Sequence, residues 1–210
     1  MLTLEHARAW YPNYDAVHGY DHIKRVYNTC KKIGPLEGAD MEILLTAALL
    51  HDASGSYPKE GNRKDHHLRS AEFAKDILEK EDWPISRIKA VQHCILTHRY
   101  RKDESPSTIE AKVLFDADKL DVIGAIGVVR ALAYAFQMKV PAYAVPSKRF
   151  LETGLKEDGE EHSAYHEYIF KLKNISSTLF TKTAREIADD RQDYLKEFFE
   201  ELENEMNNRK

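Results

Sequence analysis

The stretch that decides the fold reads Ile43-Leu44-Leu45-Thr46-Ala47-Ala48-Leu49-Leu50 and is followed at once by His51-Asp52. A helix that is apolar on nearly every face is built to be buried among other helices. It therefore delivers an imidazole and a carboxylate into the interior, where a charged group must be paired or bound to a metal. This junction predicts a polar centre inside a helical fold.

Helical periodicity extends over almost the whole sequence. No segment alternates strictly between apolar and polar residues with hairpin turns at its ends. We therefore predict an all-α protein, a helical bundle with a single domain over residues 1–210, a core over about 15–180 and a C-terminal helix over about 183–207. The predicted helices are 3–10, 15–33, 40–53, 66–81, 84–99, 107–118, 120–137, 162–180 and 183–207.

Two loops and two helix starts are also predicted. Residues 54–65 and 138–161 are long enough that a functional or mobile loop is expected in a compact domain. Capping boxes are predicted where Ser107 and Thr183 each precede a glutamate by three residues.

The composition narrows the possible functions. A chain of 210 residues with 31 basic and 35 acidic residues has a net charge of -4, which argues against a long nucleic acid as partner. Cys30 and Cys94 have no metal-ligand spacing, and no apolar run reaches the roughly 18 residues of a membrane span. With no signal-like start to the sequence, we expect a cytoplasmic protein that contacts no membrane.

Two further residues join the His51-Asp52 pair as candidate metal ligands. His22 lies upstream and Asp118 downstream, each on its own predicted helix. At the end of its helix the Asp118 carboxylate is disfavoured by the helix dipole, so a nearby cation would explain it. Two imidazoles and two carboxylates suit Mn, Fe, Co, Ni or Zn, with Mg also allowed, better than Ca.

The order His22, His51-Asp52, Asp118 resembles the H…HD…D signature of the HD-domain metal-dependent phosphohydrolase superfamily. Three flanking segments narrow the resemblance to its YedJ/YpgQ-type branch. They are His18-Gly19-Tyr20-Asp21-His22-Ile23-Lys24-Arg25-Val26, Asp116-Ala117-Asp118-Lys119-Leu120-Asp121 with Val122-Ile123-Gly124-Ala125-Ile126-Gly127, and the tail with His166, Lys171-Leu172 and Thr183 to Arg191.

The resemblance implies an activity and leaves alternatives open. It implies one divalent ion on the four ligands and cleavage of a small phosphorylated metabolite, most simply a nucleoside triphosphate split into monophosphate and pyrophosphate. A nucleoside monophosphate phosphatase or a cyclic-nucleotide phosphodiesterase is an alternative on the same metal, and a non-catalytic nucleotide-sensing or partner-binding module is another. The loop 54–65 departs from the pattern of this branch. The departure affects the prediction of the substrate more than the prediction of metal binding. The sequence gives no indication of oligomeric state.

Several residues are candidates for contact with substrate or for catalysis. Arg25 follows His22 by three residues and so lies on nearly the same helix face, where a guanidinium can hold a phosphate through two hydrogen bonds. Lys59, in the loop after the His-Asp pair, would neutralise a leaving pyrophosphate. Three roles remain open for His18. It contacts the substrate, it contacts one of the metal ligands without binding the ion, or it is a histidine on the helix surface.

Two carboxylates have a predicted catalytic role. Asp52 would orient the attacking water in addition to binding the ion. Asp121, one turn after Asp118, would be an acidic residue that contacts the metal ligands rather than the ion. A charged surface residue with no such role is an equal alternative.

The number of ions depends on the histidines between the His-Asp pair and Asp118. Some HD branches resemble this order with two additional histidine ligands and a second ion. We favour one ion, with His98 and His66 or His67 contacting the substrate phosphate, but a second ion remains an alternative. The histidines in this interval are His66, His67, His93 and His98.

Overall fold

A computed structural model describes residues 2–11, 17, 19–54, 65–99 and 105–209. No strand occurs within these ranges, so the all-α prediction is confirmed. The chain divides into two compact units, Met1–Asp118 with Leu179–Ala184 and Lys119–Thr178 with Arg185–Lys210. The single domain over the whole chain stays a prediction.

The described helices account for most of both units. Two 3-10 turns, Leu172–Asn174 and Ser176–Thr178, lie between the last two α-helices. The α-helices are α1 (Leu4–Arg8), α2 (Tyr20–Glu37), α3 (Met41–Leu50), α4 (His66–Lys80), α5 (Ile85–Thr97), α6 (Ile109–Leu120), α7 (Gly124–Gln137), α8 (Lys148–Thr153), α9 (Ala164–Phe170) and α10 (Lys182–Met206).

Helix α3 is the central helix of the first unit and packs against α1, α2, α4 and α5. The side chains of Leu44, Leu49 and Leu50 are fully buried, as expected for a helix that is apolar on nearly every face. Asp40 caps its start by accepting hydrogen bonds from the backbone amides of Glu42 and Ile43 at 3.0 and 3.2 Å. The apolar run therefore holds the His51-Asp52 junction inside this unit.

A glycine allows α2 and α3 to approach each other closely. A Cβ atom on Gly34 would lie 2.6 Å from Leu44 Cδ2 and 2.6 Å from Met41 Sδ, which is too short for any contact. Helix α2 continues through Pro35 in its last turn and ends at Gly38, whose positive φ of 74° suits a helix C-terminus. The predicted end at residue 33 was therefore too early.

The second unit differs most from the prediction. The predicted helix 162–180 is instead α9 followed by the two 3-10 turns, and α8 lies inside the predicted loop 138–161. The observed caps are at other residues than the predicted capping boxes, and an alanine rather than a glutamate follows each three residues later. Thr108, next to Ser107, accepts from the amide of Ala111 at 3.2 Å. Likewise Thr181 accepts from the amide of Ala184 at 3.3 Å.

Within the described residues, no single helix is long and apolar enough to cross a membrane. The bent pair Ile109–Leu120 and Gly124–Gln137 passes the same test when taken together, by length and composition only.

Candidate metal centre

The four predicted ligands all lie in the first unit, each at or near the end of a helix. His22 is in the first turn of α2, and Asp118 is in the last turn of α6. His51 is the C-cap residue of α3, and Asp52 follows it. Because helix ends rather than helix middles meet here, side chains from separate helices reach one point.

The side-chain atoms are close enough to share one ion. His22 Nε2 lies 3.4 Å from His51 Nε2 and 3.4 Å from Asp118 Oδ1. Asp52 Oδ2 lies 3.9 Å from each of the two imidazole nitrogens. Ligand atoms around a tetrahedral zinc ion with bonds of about 2.0–2.1 Å would be about 3.4 Å apart, so this spacing suits a cation at their centre.

His51 is held as a neutral imidazole. Its Nδ1 lies 2.9 Å from the carbonyl oxygen of Ala48, which can only accept, so Nδ1 carries the proton and Nε2 offers a lone pair. Complete burial, more than any neighbouring charge, lowers the pKa of His51 from 6.5 to about 4. A neutral imidazole with a backbone-bonded Nδ1 is the usual state of a histidine that binds metal.

Asp52 has different neighbours at its two carboxylate oxygens. Oδ2 is the oxygen nearer His22 and His51, whereas Oδ1 lies 3.0 Å from His66 Nε2 and 3.6 Å from His98 Nε2. Burial raises the pKa of Asp52, but the neighbouring imidazoles, first His51 and then His66, lower it, and the pKa lies well below its usual value. The ionised carboxylate therefore joins two groups of buried histidines.

The histidines predicted to contact phosphate divide into two sets. His66 and His98 lie beside Asp52, and the ring centroids of His51 and His98 are 5.1 Å apart. His67 is buried in the first turn of α4, with its ring centroid 6.1 Å from that of His66. His93 serves elsewhere, because its Nε2 lies 2.9 Å from Ser107 Oγ.

The remaining predicted residues are less directly placed. Arg25 is half-buried on α2, one turn after His22. Asp121 belongs to the second unit, where its Oδ2 accepts a hydrogen bond of 2.6 Å from buried Arg130. This ion pair gives Asp121 an observed structural partner, and its catalytic role stays a prediction. His18 and Lys59 lie outside the described residues.

Two polar residues near this centre were not singled out from the sequence. Asp116, in the same short motif as Asp118, accepts hydrogen bonds from the amides of Phe180 and Thr181 at 2.9 and 2.7 Å and so fixes the start of α10. Arg99 lies 3.3 Å from His66 Nδ1 through its NH1. The only available signal for Arg99 was its position directly after His98.

Comparison with known proteins agrees with this geometry. A family model described as HD domain matches residues 19–123, which include all four predicted ligands. The chain belongs to the HD domain family. It is a metal-dependent phosphohydrolase of that family, in accord with the resemblance found in the sequence.

Two relatives span most of this HD-domain chain. The Bacillus subtilis (strain 168) protein YpgQ is 30% identical over 193 residues, covering 90% of this chain and 84% of YpgQ. The crystal structure of Bacillus subtilis YpgQ in complex with ADP is similar at 28% identity and a TM-score of 0.71, covering 97% of each chain. A crystal structure of an HD-superfamily hydrolase from Bacillus thuringiensis matches at 25% identity and a TM-score of 0.65, covering 97% of this chain and 93% of that one.

Proposed function

We propose that this HD-domain protein hydrolyses nucleoside triphosphates to monophosphate and pyrophosphate, with one divalent ion held by His22, His51, Asp52 and Asp118. The observation that carries the proposal is the group of buried His22, buried His51 and half-buried Asp118, whose ligand atoms all lie within 4.8 Å of one another. Asp52, the neighbour of His51, completes the set.

The donor atoms fit a borderline divalent ion. Two imidazole nitrogens and two carboxylate oxygens suit Mn, Fe, Co, Ni or Zn, and Mg is compatible with the carboxylates. The buried Asp52 and the half-buried Asp118 approach the imidazoles at 3.4–3.9 Å, and a cation between these groups would stabilise both carboxylates. The ion, when bound, supplies positive charge for a phosphoryl oxygen and acidifies water, as phosphoanhydride hydrolysis requires.

The side chains around this centre have separate tasks in the proposal. Asp52, ionised and buried, orients the water that attacks phosphorus. Arg25 binds a phosphate oxygen from α2. His98 lies deeper, with its Nδ1 2.6 Å from the carbonyl oxygen of Ile95, so its Nε2 is an acceptor in the neutral ring. Burial of Asp52 and His98 keeps bulk water from competing at the reacting phosphate.

Two observations support a nucleotide as substrate. YpgQ, which matches nearly the full length of this chain, was crystallised with ADP. The branch resemblance of the sequence adds the triphosphate and the position of cleavage. Roles for His18, His67 and Lys59 as further contacts to the nucleotide belong to the same proposal.

Product analysis tests this function. The purified protein is incubated with Mn²⁺ and each common nucleoside triphosphate in water enriched in ¹⁸O, and products are separated by ion-exchange chromatography. Attack at the α-phosphorus places ¹⁸O in the monophosphate and none in the pyrophosphate. Asp52→Asn is expected to lose nearly all activity, whereas Asp76→Asn, which changes an exposed aspartate on α4, is expected to retain it.

Other products would decide against the proposal. Orthophosphate released from monophosphates, with triphosphates untouched, would favour a phosphatase on the same centre. Hydrolysis of cyclic nucleotides alone would favour a phosphodiesterase. Nucleotide binding with no turnover under any divalent ion would favour a sensing module.

A further inference from the structure

Asp116 is a completely buried residue on the helix that carries the proposed ligand Asp118. Its Oδ1 accepts a hydrogen bond from the backbone amide of Phe180 at 2.9 Å. Its Oδ2 accepts from the amide and from the hydroxyl of Thr181, each at 2.7 Å. Both oxygens of the carboxylate thus bind one short turn of the chain. The last part of α6 is therefore fastened to residues 180 and 181.

The segment that Asp116 binds has a second anchor within the first unit. Leu179–Ala184 belongs to the same compact unit as the four proposed ligands. Glu37, in the last turn of α2, accepts a hydrogen bond from the amide of Thr183 at 2.9 Å. Glu37 is about four turns of α2 away from His22, or roughly 22 Å at 1.5 Å per residue. This anchor therefore holds the segment at a distance from the metal centre, whereas Asp116 holds it next to a ligand.

Asp116 and Asp118 face opposite sides of α6. Successive residues of an α-helix are about 100° apart, so residues two positions apart are separated by about 200°. A side chain that is bound on one face of a helical turn fixes the rotation of that turn about the helix axis, and with it the direction of the opposite side chain. A rotation of about 10° would move an oxygen about 6 Å from the axis by about 1 Å. Functional sites hold their groups to about 0.5 Å, so such a rotation would misplace a ligand.

We infer that Asp116 is a positioning residue, which fixes the rotation of the last turn of α6 through residues 180 and 181 and so directs Asp118 toward the ion. This inference rests on the proposed function, because Asp118 is a ligand of the ion proposed there. Asp118 Oδ1 lies 3.4 Å from His22 Nε2, a spacing that suits a shared ion. Residues that orient a metal ligand commonly contribute about 10- to 100-fold to metal affinity.

A purely structural role of the same hydrogen bonds gives a different expectation. The Thr181 hydroxyl also caps the start of α10, where it accepts from the amide of Ala184 at 3.3 Å. If Asp116 served only to start α10, its loss would lower stability as any other loosening of residues 179–184 does, and the ion would bind as before. Metal affinity and stability, measured on the same variants, therefore separate the two roles.

Titrations of the full chain with Zn²⁺ and Co²⁺ test the inference. Competition with a chromophoric chelator gives the Kd for Zn²⁺, and the visible spectrum of bound Co²⁺ reports the geometry of its ligands. Asp116→Asn keeps the size of the side chain but replaces one acceptor oxygen by an NH₂ donor. It is expected to raise the Kd for Zn²⁺ about 10- to 100-fold and to change the cobalt spectrum. Thr181→Val, which removes the hydroxyl donor alone, is expected to change both in the same direction but by less.

Glu37→Met is the matched control, because it removes the other anchor of the segment 179–184. Urea unfolding of each metal-free variant measures its stability. We expect Glu37→Met to lower the urea midpoint and to keep the wild-type Kd and cobalt spectrum. Asp118→Asn, which removes the proposed ligand itself, is expected to lose most of the zinc binding and so identifies the titrated ion as the one at this centre.

Two results would overturn the inference alone. The first is a folded Asp116→Asn with the wild-type Kd and cobalt spectrum; if that variant does not fold, the same result in Thr181→Val decides in its place. The second is an equal loss of affinity in Glu37→Met, which would show that affinity follows the stability of the segment. A wild type that binds no zinc, or zinc binding that is unchanged in Asp118→Asn, would refute the proposed metal centre and the inference with it.

Discussion

Arg25 is the described cation that shares a helix face with a proposed metal ligand. It follows His22 by one turn of α2 and is half-buried, and we propose that its guanidinium binds a substrate phosphate beside the ion. A guanidinium that holds a phosphate in the ground state and in the transition state lowers KM without changing kcat.

Replacement of Arg25 by alanine is therefore expected to raise KM and leave kcat nearly unchanged. A hydrogen bond to a charged group contributes about 1.5–3 kcal/mol, so KM for a nucleoside triphosphate should rise roughly 10-fold or more. Steady-state kinetics with metal analysis of the same preparation measures this.

Lys24→Ala is the matched control, because Lys24 is the preceding residue, also basic, and exposed. It should keep the wild-type KM. A loss of bound metal in Arg25→Ala, with KM unchanged, would instead assign Arg25 to the support of the metal centre.

At the scale of helices, α3 and α5 end in the same way. Each has a histidine as its C-cap residue, and the Nδ1 of that histidine bonds to the backbone carbonyl three residues earlier. The last carbonyls of a helix lack intrahelical partners, so the imidazole satisfies one of them and at the same time directs Nε2 away from the helix.

Only one of these two helix ends could be predicted as part of a centre. The apolar run before His51 made burial certain enough to place the His-Asp pair inside the protein, and α3 is indeed buried. His98 follows a helix with polar residues on one face, so its burial depended on packing against α3 and α4. The contact of Arg99 with His66 Nδ1 could not be predicted, because it depends on which nitrogen of His66 the guanidinium reaches.

The errors in the second unit have a similar cause. The apolar spacing over 162–180 fits one helix, but the hydrogen bonds after Phe170 are those of 3-10 turns. Ser147 starts α8 by accepting from the amide of Phe150 at 3.0 Å, and Gly154 ends it with a φ of 72°. These local signals were present in the sequence, but the prolines and glycines around them favoured the prediction of a loop.

Glu160 holds several elements of the second unit together. Its carboxylate accepts from the backbone amides of Ser147 and Glu157 at 2.7 and 2.6 Å and lies 3.1 Å from His166 Nε2. Burial raises the pKa of Glu160, but these hydrogen bonds lower it from 4.5 to about 2. Burial also lowers the pKa of His166 below its usual 6.5.

These pKa shifts predict how the second unit responds to acid. A carboxyl with a lowered pKa in the folded protein contributes stability above the unfolded pKa of 4.5, and that stability is lost as pH falls toward 2. A histidine with a lowered pKa is protonated more readily when unfolded, so stability also falls below pH 6.5. Glu160→Gln should lower the urea midpoint at pH 7 and flatten its dependence on pH between 4.5 and 3.

Urea titrations at several pH values, monitored by far-ultraviolet circular dichroism, measure this dependence. Glu161→Gln is the control, because Glu161 is adjacent and exposed, and it should behave as the wild type. An unchanged midpoint in Glu160→Gln would show that the carboxylate does not hold these elements together.

At the scale of the molecule, the proposed ion ties together helices that are distant in sequence. Its ligands come from α2, the end of α3 and α6, so an ion on all four joins segments almost one hundred residues apart within the first unit. An ion that binds only the folded chain stabilises it by RT ln(1 + [ion]/Kd), or about 2.7 kcal/mol at one hundred times Kd.

Addition of Zn²⁺ or Mn²⁺ is therefore expected to raise the Tm of the wild-type chain, and a chelator to reverse the change. For a chain of this length about 2.7 kcal/mol corresponds to a shift of roughly 5–10 °C. Differential scanning calorimetry over a series of ion concentrations measures the shift and its saturation.

Asp118→Asn should fold but lose most of the shift, because Asp118 Oδ1 lies 3.4 Å from His22 Nε2 and would supply one of the ligands. Asp76→Asn, on the exposed surface of α4, should keep the full shift. If Asp118→Asn gained the same stability as the wild type, the ion would be bound elsewhere, and the convergence of these helix ends would be a hydrogen-bonded core.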